Sequence, residues 1–140
     1  MKVFLDDIRT IGMAHAPGKG LGAAYSDPSI WTIARTYGEF TDLIDRHFDE
    51  IDMISFDHDL ACFGEDGREM TGKNAADYVI GHCLDTGKPF PKSWYVHSDN
   101  TGGRQNIIGA ITGYLTKVEH KDLSAFRKHH RGIADGHMVD

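Results

Sequence analysis

Three short apolar runs in this chain each break off into residues that carry chemistry. Val3, Phe4 and Leu5 lead into Asp6 and Asp7; Met53, Ile54, Ser55 and Phe56 lead into Asp57, His58 and Asp59; Trp94, Tyr95 and Val96 lead into His97 and Ser98. A short apolar run that stops abruptly in polar groups is the mark of a buried strand whose end opens to solvent. Residues 30–35 add a fourth strand-like run. Between these runs the period changes to that of helices. Thr36 with Glu39 fits a capping box, and Phe40, Leu43, Ile44 and Phe48 follow at helical spacing. Ala75, Ala76, Val79, Ile80, Cys83 and Leu84 make one stripe on a helix near residues 73–85, which Gly87, Pro89 and Pro91 end. A turn and cap at residues 100–103 opens a last helix marked by Ile107, Ile108, Ile111 and Leu115. The order β, loop, β, α, β, α, β, α predicts an α/β fold with a mostly parallel sheet covered by helices. Residues 10–28, rich in Gly, Ala and Pro, read as a long loop, and residues 62–72 as a polar, glycine-containing one.

The bulk numbers narrow the function classes. A chain of 140 residues suits one domain, and 40% hydrophobic with 26% charged residues is the balance of a folded protein. The formal charge of -6 argues against a broad duplex-binding surface, which needs many Lys and Arg against phosphate. Charge is unevenly spread: residues 39–69 hold eleven acids against two arginines, whereas Lys117, Lys121, Arg127, Lys128 and Arg131 outnumber the acids near the other end. The two cysteines, Cys62 and Cys83, have neither CxxC nor zinc-ligand spacing. The opening residues do not read as a signal peptide, and no stretch is long and apolar enough for a bilayer, so a cytoplasmic address is expected.

In open α/β sheets ligands bind beyond the carboxyl ends of the strands. Asp6, Asp7 and Asp57 should therefore meet, and crowded carboxylates repel one another unless a cation lies between them. A hard divalent ion, Mg²⁺ or Mn²⁺, fits that need. His58 and His97, each beside a strand end, are the candidate proton-transfer groups. Gly102, Gly103 and Arg104 at a helix start suit a phosphate, through free N–H groups and a guanidinium. The other seven histidines are expected at the surface.

The motifs VFLDDIRT at residues 3–10, ART at 34–36, SFDHDL at 55–60, HSDN at 97–100 and GRQN at 103–106 give the chain a family likeness. It resembles response-regulator receiver domains and, more closely, the divergent group described as the cyclic-phosphate-processing receiver domain. The likeness runs from Met1 to about Leu115. It implies a receiver-like (flavodoxin-like) three-layer sandwich over residues 1–116, with a basic, histidine-containing extension at 117–140. It further implies a site drawn from Asp6, Asp7, Arg9, Arg35, Asp57, His58, Asp59, His97, Ser98, Arg104 and Asn106. Asp59 would join the histidines in catalysis, and Arg9, Arg35, Ser98, Arg104 and Asn106 would hold the phosphate-bearing ligand. A receiver also carries a Lys, usually before Pro, after its last core strand; here the nearest candidate is Lys117, followed by Val118.

These readings order the functions. First stands a metal-dependent phosphoesterase acting on cyclic phosphate or nucleotide substrates, an RNA end among them. Second is a nucleotide or cyclic-nucleotide binder without turnover. Third is a signalling module phosphorylated on Asp57, which the missing Lys-Pro disfavours.

Overall fold

The computed structural model describes residues 1–9, 11, 27–63 and 67–121; most of the expected 10–28 loop and residues 122–140 lie outside them. Four strands, β1 (Lys2–Leu5), β2 (Trp31–Ala34), β3 (Met53–Phe56) and β6 (Ser93–Val96), form one sheet in the order β2-β1-β3-β6. Every pairing is parallel, with Leu5 beside Ala34 on one side and Phe56 on the other, and Phe56 beside Val96. The apolar runs thus become strands, and their polar successors leave the sheet at one edge.

Helices α1 (Tyr37–His47), α2 (Gly72–Thr86) and α3 (Thr101–Lys121) flank the sheet. Alternation along the strands sends Val3, Leu5, Ile54, Phe56, Trp94 and Val96 to one face. There they join Phe40 and Ile44 of α1, Ala75, Ala76 and Val79 of α2, and Ile107, Ile111 and Leu115 of α3 in a single core. On the opposite face the described residues give a small cluster of Phe4, Ile11 and Trp31. The architecture is α/β and receiver-like, as expected.

The helix starts follow their sequence cues. The Glu39 N–H donates to Thr36 Oγ1 at 3.0 Å, while the Glu39 carboxylate accepts from the Arg35 N–H at 2.9 Å, one residue earlier than a strict capping box. At α2 the Thr71 N–H donates to Asn74 Oδ1 at 2.8 Å, and Gly87 closes the helix with φ 75°. At α3 Asn100 Oδ1 accepts from the Gly103 N–H at 2.9 Å. The last helix runs past Thr116 to Lys121.

Two expectations need correction. The segment at residues 62–72 is not wholly loop: β4 (Asp59–Phe63) and β5 (Glu69–Thr71) pair as an antiparallel hairpin. Its register shifts between Asp59 and Cys62, where Ala61 takes φ 49°. Glu69, Met70 and Thr71 are too few to announce a strand by their own pattern, and they are held extended by pairing with β4. His82, expected at the surface, is half-buried with its ring 4.4 Å from that of Phe48.

Candidate functional site

β1 lies between β2 and β3, so the chain leaves it in one direction and later returns on its other side. Ligands bind at such a reversal of strand order. Three ladder bonds prolong the sheet by one residue there: the Asp6 N–H donates to Ala34 O (3.1 Å), the Asp57 N–H to Leu5 O (3.0 Å) and the His97 N–H to Phe56 O (2.9 Å). The three strand exits are thereby fixed side by side.

Asp6 is buried and heavily committed. Its Oδ1 accepts from the Ile8 and Arg9 N–H groups at 3.0 and 2.7 Å, which folds residues 6–9 into a tight turn. Its Oδ2 lies 2.9 Å from His97 Nε2. Asp57, also buried, accepts one N–H, from His58 at 2.8 Å. Arg9 bridges the exits: NH1 donates to His97 O at 3.2 Å and NH2 to Asp99 Oδ2 at 2.7 Å. The same NH1 stands 3.7 Å from Asp6 Oδ2 and 3.9 Å from Asp57 Oδ1, close enough for charge attraction but too far for a hydrogen bond. Arg35 braces the turn from behind, with NH1 donating to Asp6 O at 3.1 Å and Arg9 O at 2.6 Å.

Two glycines let neighbouring elements close on this point. A Cβ at Gly72 would sit 1.7 Å from Asp57 O, and one at Gly103 would sit 2.3 Å from the His58 ring. The first contact lets the start of α2 abut the strand end; the second seats His58 against the start of α3.

The result is a cleft of about 190 Å³ lined by Asp6, Asp7, Ile8, Arg9, Asp57, Asp59, Ser98, Asp99 and Asn100. Of the expected site residues, Asp6, Asp7, Arg9, Asp57, Asp59 and Ser98 line it. His97 lies behind Asp6 with its ring stacked on Phe4 at 4.4 Å, and its Nδ1 meets Ser55 Oγ at 2.7 Å. His58 stands beside the cleft, its Nδ1 2.9 Å from Asp59 Oδ1. Arg104 is half-buried and Asn106 exposed, both on α3 outside the lining. Ile8, Asp99 and Asn100 were not expected in the site, although Ile8 stands inside the VFLDDIRT motif and Asp99 and Asn100 inside the HSDN motif. Ser55 was also missed, although a lone hydroxyl within an apolar run was the signal for it.

Among the lining residues five carboxylates face one guanidinium. The two innermost acids respond in opposite directions. Burial opposes charge on Asp6, but hydrogen bonds from His97 and from the Arg9 and Ile8 N–H groups outweigh it and hold the carboxyl below its ordinary range. Burial, then the charge of Asp6, lifts the Asp57 carboxyl above its ordinary range, with partial relief from His97, the His58 N–H and Arg9. Ligand atoms of Asp6, Asp57 and His97 lie within 4.8 Å of one another. Buried carboxylates with one oxygen-rich opening fit a hard divalent cation. His97 contributes less as a ligand, because its Nε2 is already turned to Asp6.

No helix among the described residues is long and apolar enough to cross a membrane. Lys117, the nearest candidate for a receiver lysine, lies away from the site: it lines a groove between α2 and α3, and no lysine among the described residues lines the cleft. No curated protein and no solved structure matches the chain. Residues 1–113 match the family model of the cyclic-phosphate processing receiver domain, with the strand-end acids, the hairpin and the start of α3 all inside the match. A parallel receiver-like sheet with an acidic cleft at its strand reversal, matched over most of its length, places this chain in the cyclic-phosphate processing receiver domain family.

Proposed function

We propose that the cleft is a divalent-metal-dependent phosphoesterase site acting on cyclic phosphates, such as nucleotides or RNA ends that carry them. The charge imbalance carries this reading. A lining of five acids and one arginine repels a phosphate unless a cation is bound with it. Asp6, Asp7 and Asp57 would hold Mg²⁺ or Mn²⁺, which when bound polarises a phosphoryl group and acidifies water. Arg9, already set between the strand exits, would grip the phosphate oxygens, with Ser98 offering its hydroxyl and the start of α3 its outer N–H groups. Arg104 would approach from the first turn of α3. His58 is the better placed proton carrier: Asp59 holds its Nδ1, and its Nε2 has no partner among the described residues.

The test is a panel of 2′,3′-cyclic nucleotides, linear nucleotides and cyclic dinucleotides, incubated with Mg²⁺, with Mn²⁺ and with chelator. Metal-dependent opening of a cyclic phosphate is the expected result, and no turnover under any condition overturns it. One observation favours the second reading, binding without turnover: neither His58 nor His97 lines the cleft. That reading predicts metal-dependent affinity for the same nucleotides with no product.

A further inference from the structure

A carboxylate offers about four lone-pair positions to hydrogen bonds and cations. In Asp6, three are taken, by Ile8 N–H and Arg9 N–H on Oδ1 and by His97 Nε2 on Oδ2. One remains, on Oδ2, and its direction depends on where the His97 ring stands. That ring is fixed on its other side by Ser55 Oγ at 2.7 Å and on its face by Phe4, 4.4 Å away and 7° from parallel. Ser55 is fully buried on β3, between the core residues Ile54 and Phe56 but facing away from them. A hydroxyl there has an evident use: it accepts or donates, so it can hold Nδ1 whichever way the ring is protonated.

We propose that Ser55 is a positioning residue which, through His97, aims the open lone pair of Asp6 into the cleft, and that His97 serves as its relay rather than as a proton carrier. An ionised carboxylate only accepts, so Nε2 carries the proton and donates to Asp6. The hydroxyl at Nδ1 stops the ring from tilting, and an untilted ring keeps Asp6 and Asp57 presenting to the same point. The proposal rests on the reading of Asp6 and Asp57 as the metal-holding pair.

The test joins two measurements. Long-range ¹H–¹⁵N correlation of the histidine rings should show a proton on His97 Nε2. Titration with Mn²⁺, followed by its paramagnetic resonance, gives the affinity. Ser55→Ala should weaken Mn²⁺ binding about 10-fold, the lower end of the effect usual for groups that hydrogen-bond a metal ligand, and shift the His97 signals. Ser55→Thr, which restores the hydroxyl, should recover most of both. Unchanged Mn²⁺ affinity in folded Ser55→Ala, or a His97 ring protonated on Nδ1 alone, overturns the proposal. Should Ser55→Ala fail to fold, the parent spectrum together with Ser55→Thr decides: Nε2 protonation and retained signals in Thr uphold it, and loss of either overturns it. If the parent binds no Mn²⁺, the metal reading fails by itself. The His97 signals then decide alone, a shift in Ser55→Ala but not Ser55→Thr upholding the relay and no shift in either overturning it.

Discussion

The cleft at the strand ends and the groove between α2 and α3 are opposites. The groove is the larger, about 600 Å³ against about 190 Å³, and is lined by Ile80, Leu84, Ala110 and Tyr114 with Asp77 and Lys117 at its margins. The cleft is small, and most of what lines it ionises or hydrogen-bonds. Size would choose the groove. Chemistry chooses the cleft, because there buried carboxylates converge and their ionisations move apart, Asp6 held low by its hydrogen bonds and Asp57 pushed up by burial and by the charge of Asp6. The groove is what two packed helices leave when small residues such as Ala110 and Gly113 face outward.

If that contrast is right, the cleft should be intolerant and the groove indifferent. The largest effect is expected from Gly72→Ala, whose methyl would overlap the Asp57 carbonyl, backbone that cannot swing away. It should cost about 3 kcal/mol or more in denaturant unfolding and abolish Mn²⁺ binding together; a stable, metal-binding variant would break the account of the strand-end junction.

Asp57→Asn comes next. Its Mn²⁺ affinity should fall by at least about 100-fold, beyond what loss of an outer partner does, as a direct titration would show. Without added metal the same variant should be the more stable one at neutral pH. Folded Asp57 keeps its proton to higher pH than the unfolded chain does. Its stabilising contribution is therefore full at low pH and is lost as pH rises from the ordinary carboxylate value through the raised folded one. Asp6 runs the other way, contributing above the ordinary value and losing its contribution as pH falls through the lowered folded one. Melting temperatures of parent and Asp57→Asn across pH should diverge as pH rises; parallel curves would show that Asp57 is not strained.

Arg9→Ala should weaken binding of a 2′,3′-cyclic nucleotide by about 10-fold or more, the scale of a charged hydrogen bond, with Mn²⁺ binding retained. Equilibrium binding in excess Mn²⁺ would sharpen the division between phosphate and metal residues. The smallest effect is expected from Lys117→Ala: a stability change within about 0.5 kcal/mol, as for surface sites generally, and unaltered Mn²⁺ binding. Stoichiometric acetyl-phosphate labelling of Asp57 that Lys117→Ala abolishes would reverse the contrast and favour signalling.

The cleft was legible in sequence where its residues follow directly from strands. Asp6, Asp57 and His97 could be placed together because a parallel sheet brings its strand ends to one edge. The cap on α3 was legible for the same local reason, since Asn100 and Gly103 are three residues apart. What escaped was set across distance. Ser55 meets His97 over 42 positions and Arg9 meets Asp99 over 90, and neither pairing leaves a local pattern. The hairpin escaped for another reason: its second strand has only three residues, too few to show a period.

The hairpin is also tied off at its base: the Gly72 N–H donates to His58 O at 2.8 Å, beside the pairing of Asp59 with Thr71. The chain leaves Asp57 and comes back to it through a closed neck. Whatever is spliced beyond the neck is a loop whose ends are already joined, and doubling the length of such a loop costs only about 0.6 kcal/mol. The hairpin can therefore change in length without moving the strand end from which it springs.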